Sequence, residues 1–288
     1  MDYAVVVALQ ILSGVATLVI VSLGLAVVFG MMRVINLAHG EFLMLGGYTA
    51  ILSYGHGANL WLAILVLPPI VVGLIGAVVE RLLIRRLYGR MIDTMLATWG
   101  LSLAFIGGVT MLFGNSNTGV SAPLGSFEVG RFHVASYDIF LMLAACALSA
   151  IVWAVLKLTP AGLIARGTMQ NAEMAAALGV APDRVYAITF SAGAALSGLA
   201  GGLIAPVAGV LPTMGTAYIA KAFITVITGG AAMLTGTLVA SALLGTVSTV
   251  FTFVWTPVFG EVALLVFAIV LLRLLPRGIT GRFLRRSL

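Results

Sequence analysis

Four polar or ionisable side chains occur within nine residues of an otherwise apolar N-terminal region: Arg33, Asn36, His39 and Glu41. A helix break at membrane depth is tolerated only where protein or a water-filled cavity surrounds it. One interpretation is a broken helix beside a translocation path, with Asn36, His39 and Glu41 orienting or lining it. The alternative is a short interfacial turn in which Arg33 pairs with Glu41 and Asn36 caps the next helix.

A second polar stretch, residues 159–184, lies between strongly apolar runs and is called the polar segment below. Its polar side chains include Arg166, Gln170, Asn171, Glu173, Asp183 and Arg184. Residues 168–178 are predicted to form one short helix, which Gly179 ends in a left-handed conformation. An ordinary connector would usually be shorter and less organised. A short helix held rigidly between two spans suits the transmission of force from a water-soluble partner.

The sequence gives no support for enzymatic activity or for metal binding. Neither of the two lysines is followed by Ser or Thr, so a phosphate-binding loop is absent. The three histidines lie far apart and lack the spacing of a zinc hydrolase. The single cysteine, Cys146, excludes an internal disulfide. We therefore predict no catalytic residue, no metal site and no cofactor bound by this chain.

Ionisable residues inside the apolar runs are few. The acidic ones are chiefly Glu41, Glu80 and Glu261. A proton-coupled carrier usually needs buried carboxylates or histidines in mid-membrane, and this chain has few candidates. Lys221 also lies inside an apolar run, where an isolated cation is costly. It must extend its ammonium group to a membrane face or find a partner.

The elements that position these residues are predicted to be membrane helices. The chain is 61% hydrophobic and 8% charged, whereas soluble domains carry roughly 25% charged residues. We predict an all-α polytopic membrane protein of one domain, residues 1–288, with about eight or nine apolar segments, some broken or re-entrant. The segments are 5–32, 36–54, 60–84, 92–113, 137–157, 186–209, 215–231, 234–252 and 259–275. The glycine-rich residues 228–236 are either a tight turn between helices or the tip of a re-entrant pair.

Basic residues indicate the orientation in the membrane. Twelve of the fifteen lie in three zones, residues 81–90, 157–184 and 273–286. Short basic zones that flank spans are typical of cytoplasmic loops rather than of nucleic-acid binding. The basic loops and the C-terminus are therefore predicted to be cytoplasmic, and residues 114–138 to lie outside. Counting segments back from the C-terminus puts the N-terminus outside as well; if segment 36–54 or 215–231 is re-entrant, the two termini fall on the same side.

A stripe of small residues predicts close helix packing. Gly198 and Gly202 form a GxxxG pair, with Ala194 one turn earlier on the same face. Small residues let helix backbones approach closely in a membrane. Gly193, Ser197 and Gly201 form a second stripe beside the first. We expect this helix to pack in the centre of the bundle or at a subunit contact.

Three segments resemble the branched-chain amino acid ABC transporter permease family. They are the run GLAVVFGMMRVINLAHGEF at 24–42, the stretch from Arg166 to Arg184, and LPRGI at 275–279. The resemblance extends over essentially the whole chain. In that family, residues like those between Arg166 and Arg184 form a cytoplasmic segment that couples the permease to ATPase subunits. By this resemblance the coupling residues would be Arg166, Gln170, Glu173, Gly179, Asp183 and Arg184.

The resemblance implies one membrane subunit of an importer in the bacterial plasma (inner) membrane. Its expected partners are two ABC ATPase subunits that hold ATP and Mg²⁺, a second permease subunit of the same or a different chain, and an extracytoplasmic solute-binding protein. The expected substrates are branched-chain or related small amino acids, moved by ATP-driven alternating access. The alternative is a passive channel for small neutral solutes such as urea or amides, which would leave the polar segment without a role. A secondary transporter ranks last, because midplane ionisable groups are scarce.

Overall fold

The computed structural model describes residues 2–230 and 232–283. In chain order the helices are α1 (Asp2–Met32), α2 (His39–Gly55), α3 (Leu60–Leu65), α4 (Leu67–Leu82), α5 (Met91–Phe113), α6 (Ser136–Leu158), α7 (Pro160–Gln170), α8 (Ala172–Ala177), α9 (Pro182–Ala208), α10 (Met214–Gly229), α11 (Met233–Val254), α12 (Pro257–Leu274) and α13 (Gly278–Phe283). A 3₁₀ turn covers Ile84–Leu87, and strands β1 (Ser126–Val129) and β2 (Phe132–Ala135) form an antiparallel hairpin.

The predicted fold class is confirmed. Within the described residues, seven helical stretches are long and apolar enough to cross a membrane. The shorter helices α2 and α10 account for the two remaining predicted segments. The hairpin was not predicted, and it occupies part of the polar stretch 114–138. Of the predicted basic C-terminal zone, Arg285 and Arg286 lie outside the described residues.

The chain forms two compact units. The larger unit comprises residues 23–121 and 151–220, and the smaller comprises residues 1–22, 122–150 and 221–288, as far as they are described. Each unit has its own apolar core. Both the helix break and the polar segment belong to the larger unit.

Helix α9 is the centre of the larger unit and packs against α2 and α4. A Cβ atom at Gly201 would collide with the carbonyl oxygen of Leu43 on α2, and one at Gly46 would collide with that of Gly198. A Cβ atom at Gly198 would come within 2.7 Å of the Pro68 carbonyl oxygen at the start of α4. These backbones approach closely because glycine leaves no side chain between them.

Large apolar side chains complete the core of the larger unit. The Phe42 and Phe190 rings pack edge to face with their centroids 5.9 Å apart. The buried cluster around them comprises Val28, Phe42, Val72, Val79, Ile84, Phe190 and Ala194. Aromatic pairs in this arrangement add to the stability gained from packing alone.

The smaller unit is built around α11 and α12, whose buried residues Leu244, Leu264 and Ala268 pack together. Within the glycine-rich residues 228–236, α10 ends at Gly229 and α11 begins at Met233. Ala231, between the two helices, is not among the described residues. Thr280 on α13 fastens this turn: its hydroxyl donates to the Gly229 carbonyl at 2.6 Å and accepts from the Ala232 N–H at 3.1 Å.

Replacing Gly46 by alanine should destabilise the larger unit, because the new methyl group would meet the backbone of Gly198. Overpacking of this kind costs about 1–3 kcal/mol. We expect a lower midpoint of thermal unfolding for the detergent-solubilised protein. Gly108→Ala is the matched control, since α5 leaves open space at that position. Equal unfolding midpoints for wild type and Gly46→Ala would contradict the close α2–α9 contact.

Candidate functional site

The helix break consists of residues 33–38, between α1 and α2, and is held by hydrogen bonds from both sides. The Asn36 side chain accepts from the Ala38 N–H at 3.0 Å and so closes the turn that precedes α2. The Leu37 N–H donates to the Thr98 hydroxyl on α5 at 3.1 Å. The His39 Nδ1 lies 3.1 Å from the Ser197 hydroxyl on α9. The break is therefore fixed to α5 and to α9.

Asn36, His39 and Glu41 are all buried, with at most 2% of each residue exposed. Neither carboxylate oxygen of Glu41 has a hydrogen-bond partner among the described residues. Ser102 on α5 is a polar neighbour of this carboxylate. Burying a carboxyl group without a partner is costly, so this part of the structure contains a local energetic penalty.

The interpretation in which Arg33 pairs with Glu41 finds no support. Arg33 is exposed and Glu41 is buried, and no ion pair joins them among the described residues. Arg33 also has φ of 52°, a left-handed conformation that is unfavourable for a residue with a Cβ atom. Asn36 is not the N-cap of α2 either, since Ala38 occupies that position. Neither contact of this alternative is therefore found among the described residues.

The polar segment forms two helices, not the single helix predicted for residues 168–178. Helix α7 ends at Gln170, and Asn171 adopts an extended conformation, with φ of −155° and ψ of 100°. Its side chain accepts from the Met174 N–H at 2.9 Å and caps α8. Asparagine competes with the backbone for hydrogen bonds in this way, which is why the helix divides at this residue.

The predicted coupling residues are distributed over four consecutive pieces of the polar segment. Arg166 and Gln170 lie on α7, and Glu173 lies on α8. Gly179 forms the following turn with φ of 88°, which favours glycine. Asp183 and Arg184 lie in the first turn of α9, where Pro182 is the first residue. Apart from the half-buried Arg166 and the turn glycine, these are exposed polar or charged side chains.

An apolar groove of about 330 Å³ lies between α7 and α8. Sequence patterns did not predict it, because its residues belong to both sides of the Asn171 break. Three of its apolar side chains are strongly exposed: Leu163 at 64%, Met174 at 59% and Leu178 at 80%. Exposed apolar side chains grouped on an otherwise polar surface are typical of a protein interaction site.

The start of α9 is tied to the turn after α4. Asp183 forms an ion pair with Arg85 at 3.2 Å. Nearby, the Tyr88 hydroxyl donates to the Glu80 carboxylate, and the Tyr88 ring packs edge to face on Tyr186 of α9. Burial raises the pKa of Tyr88, and the hydrogen bond to Glu80 raises it further. The phenol therefore remains a donor to this buried carboxylate.

The two stripes of small residues on α9 face different neighbours. Ala194, Gly198 and Gly202 lie against α3 and α4, where they meet Gly76, Val72 and Pro68. Gly193 and Gly201 lie against α1 and α2 respectively, and Ser197 contacts both Gly24 and His39. The hydrogen bond between Ser197 and His39 was not predicted, because Ser197 was assigned to packing alone.

A polar contact in the smaller unit was also missed. The Lys221 ammonium group lies 2.7 Å from a carboxylate oxygen of Glu261. The sequence identified both residues as ionisable groups inside apolar runs but could not pair them. A separation of forty residues gives no local signal for a contact.

The fold and these polar sites define a multi-pass helical membrane protein. Residues 7–275 match the family described as branched-chain amino acid transport system / permease component. The chain belongs to this family and is therefore a transport permease component. The family match favours the importer over the passive channel.

Relatives resemble the chain over nearly its full length. It is 26% identical over 295 residues to the high-affinity branched-chain amino acid transport system permease protein LivH of Salmonella typhimurium, with 93% of this chain and 92% of that protein covered. It is 27% identical over 289 residues to the probable branched-chain amino acid transport permease protein LivH of Methanocaldococcus jannaschii, with 92% and 88% covered. The permease protein BraD of Pseudomonas aeruginosa is 27% identical over 285 residues, with 93% and 92% covered.

A solved structure shares the fold. PsaBC from Streptococcus pneumoniae in complex with Fab aligns with a TM-score of 0.57 at 15% sequence identity. The alignment covers 97% of this chain and 94% of that one. At this identity the similarity concerns architecture alone.

Replacing Tyr88 by phenylalanine should destabilise the protein, because the Glu80 carboxylate would stay buried and lose its donor. The expected cost is about 1–3 kcal/mol, and replacing both partners by apolar residues should recover much of it. We expect thermal unfolding in detergent to show a lower midpoint for Tyr88→Phe and a partial recovery for Tyr88→Phe/Glu80→Met. Tyr54→Phe, at an exposed position, is the control. Equal midpoints for all variants would contradict a stabilising role of this hydrogen bond.

Proposed function

We propose that this chain is a membrane subunit of a binding-protein-dependent ABC importer, and that it translocates branched-chain or related small amino acids by ATP-driven alternating access. The observation that carries the proposal is the match of residues 7–275 to the permease family. The relatives' names supply the substrate class, since each is called a branched-chain amino acid transport permease.

The proposed assembly contains two ABC ATPase subunits, a second permease subunit and an extracytoplasmic solute-binding protein. ATP and Mg²⁺ would be bound by the ATPase subunits. The proposed location is the bacterial plasma (inner) membrane, with the basic loops and the C-terminus in the cytoplasm. The Arg85–Asp183 ion pair supports this orientation, because it brings the basic turn after α4 to the same side as the polar segment.

The polar segment is proposed to dock on an ATPase subunit. Leu163, Met174 and Leu178 offer exposed apolar side chains, while Arg166, Gln170, Glu173 and Arg184 offer polar groups beside them. An apolar centre with a polar rim is the usual anatomy of a protein interface. The caps at Asn171 and Gly179 hold α8 in a defined position. A displacement of α8 by the ATPase subunit would therefore move the start of α9 with it, as one rigid body.

Energy from ATP would act through different affinities of the ATPase subunits for two states of the permease. A partner shifts such an equilibrium only by its differential binding to the two states. Helix α9 begins at the docking surface and packs against α2 and α4. Its Ser197 also contacts His39 at the helix break. Movement of α9 would therefore displace the break directly.

Asn36, His39 and Glu41 are proposed to be the part of the larger unit that opens to the translocation path. In the described state they are buried, and Glu41 lacks a hydrogen-bond partner among the described residues. In a state where water or substrate reaches Glu41, its carboxyl group would gain a hydrogen-bond partner, and the energetic cost of burying it without one would be removed. The described state would then be a closed state of the path.

The double variant Glu173→Ala/Gly179→Ala should uncouple ATP hydrolysis from uptake. The first change removes an exposed charge from α8, and the second forces a left-handed backbone on a residue with a Cβ atom. In proteoliposomes we expect uptake to fall at least tenfold, with insertion and ATP hydrolysis retained.

The matched control for this variant is Asp93→Ala/Gly89→Ala. It also removes one carboxylate and one left-handed glycine, but at the start of α5, where Gly89 precedes the helix and Asp93 lies in its first turn. Normal uptake by the Glu173/Gly179 variant would remove the polar segment from the coupling mechanism.

The proposed function itself is tested by reconstituting the chain with its cognate permease partner, ATPase subunits and binding protein. Leucine uptake should require ATP and the binding protein. If uptake proceeds without ATP, or if urea and amides equilibrate across the membrane through this chain alone, the passive channel is correct. A binding protein that ignores aliphatic amino acids would overturn the substrate class while leaving the importer in place.

A further inference from the structure

The smaller unit contains an ion pair that the proposed function does not yet use. Lys221 on α10 and Glu261 on α12 approach to 2.7 Å. Each residue belongs to a strongly apolar helix, in which an ionisable side chain is rare and usually functional.

The pair lies at the depth of the hydrocarbon core. The end of α10, the start of α11 and the helix α13 that follows α12 meet at one end of the smaller unit, where Thr280 fastens the turn after Gly229. At 1.5 Å per residue, Lys221 is about 12 Å from the Gly229 end of α10, and Glu261 is about 20 Å from the Leu274 end of α12. A hydrocarbon core is about 30 Å thick. When these helix ends mark one face, Lys221 lies in the middle part of the core, and Glu261, four residues after the start of α12 at Pro257, lies toward the opposite face.

The pair is nevertheless accessible on the surface of the chain. The side chain of Lys221 is 28% exposed and that of Glu261 is 58% exposed. Charged side chains within a membrane face a bundle interior or a water-filled cavity, because contact with lipid is costly. The side of the smaller unit that carries Glu261 must therefore face water or polar protein groups at membrane depth.

We propose that Lys221 and Glu261 form a binding site for the charged ends of a zwitterionic amino acid on the translocation path. The substrate carboxylate would bind the Lys221 ammonium group, and the substrate ammonium group would bind the Glu261 carboxylate. This inference rests on the proposed function, and it assigns to that function a substrate-contacting pair of residues.

The chemistry of the pair suits this class of ligand. The ion pair and the zwitterion are each neutral overall and carry complementary charges. Exchange of partners therefore leaves no unpaired charge inside the membrane, and the two side chains pair again when the substrate leaves. The flexible four-carbon stem of lysine allows its ammonium group to move aside and return.

The first test measures whether water reaches the pair, independently of transport. In a Cys146→Ala background, Lys221→Cys and Ile269→Cys are each placed in the assembled importer in proteoliposomes. Ile269 is an exposed apolar residue further along α12 and serves as the control. We expect a membrane-impermeant charged methanethiosulfonate to modify Cys at position 221 but not at position 269. Modification at 221 by lipid-soluble maleimide alone would show that the position faces lipid, which overturns the proposal.

The second test separates a substrate site from a structural ion pair. Lys221→Met and Glu261→Gln should each reduce leucine uptake at least tenfold, with assembly and ATP hydrolysis retained, whereas the exposed Arg90–Asp93 pair can be replaced by Arg90→Met/Asp93→Asn without loss. The exchanged variant Lys221→Glu/Glu261→Lys restores the pair but reverses its polarity, so uptake should stay low. Full uptake by the exchanged variant would assign the pair to structure alone and overturn the proposal. Absence of leucine uptake by wild type would instead overturn the proposed function.

Discussion

The larger unit depends on direct contact between helix backbones at glycine positions. Lipid provides no hydrophobic drive for helices to associate, so close packing must replace it. Helix α9 achieves this on two sides at once, with Gly201 against Leu43 of α2 and Gly198 against Pro68 at the start of α4. Because no flexible side chain separates these backbones, α9 cannot move without moving its neighbours. Small residues here determine mechanics as well as stability.

This packing places the two polar features of the larger unit on one rigid element. Helix α9 starts beside the groove of the polar segment, and about 22 Å further along the helix Ser197 reaches His39, the first residue after the break between α1 and α2. A regular helix transmits displacement along its axis with little loss. The polar segment and the break are therefore joined by continuous packed structure, which is the physical requirement for one to influence the other.

The sequence was sufficient to predict features that depend on composition and periodicity. Apolar runs gave all nine helical segments, and the spacing of Ala194, Gly198 and Gly202 identified the helix with the closest contacts. Two kinds of feature could not be predicted from sequence. The first depends on competition between side-chain and backbone hydrogen bonds, and the second on contacts between residues far apart in the chain. The helix of the polar segment divides because the Asn171 side chain caps α8, although the neighbouring alanines favour one continuous helix. The partner of His39 is 158 residues away, and no local pattern indicates it.

The three acidic residues inside the apolar helices differ in their burial and in their polar partners. These differences indicate which contacts of the described structure are satisfied. Glu80 is buried and accepts a hydrogen bond from Tyr88, so the described state satisfies it. Glu261 is exposed and paired with Lys221, so its charge is balanced at the surface of the unit. Glu41 is buried, and its carboxylate has no hydrogen bond among the described residues. A group that is satisfied in one state resists change, whereas a group that is unsatisfied favours another state in which it gains a partner. Among these three residues, Glu41 on α2 is therefore the one that the described structure satisfies least, and Glu80 is the one that a buried hydrogen bond satisfies.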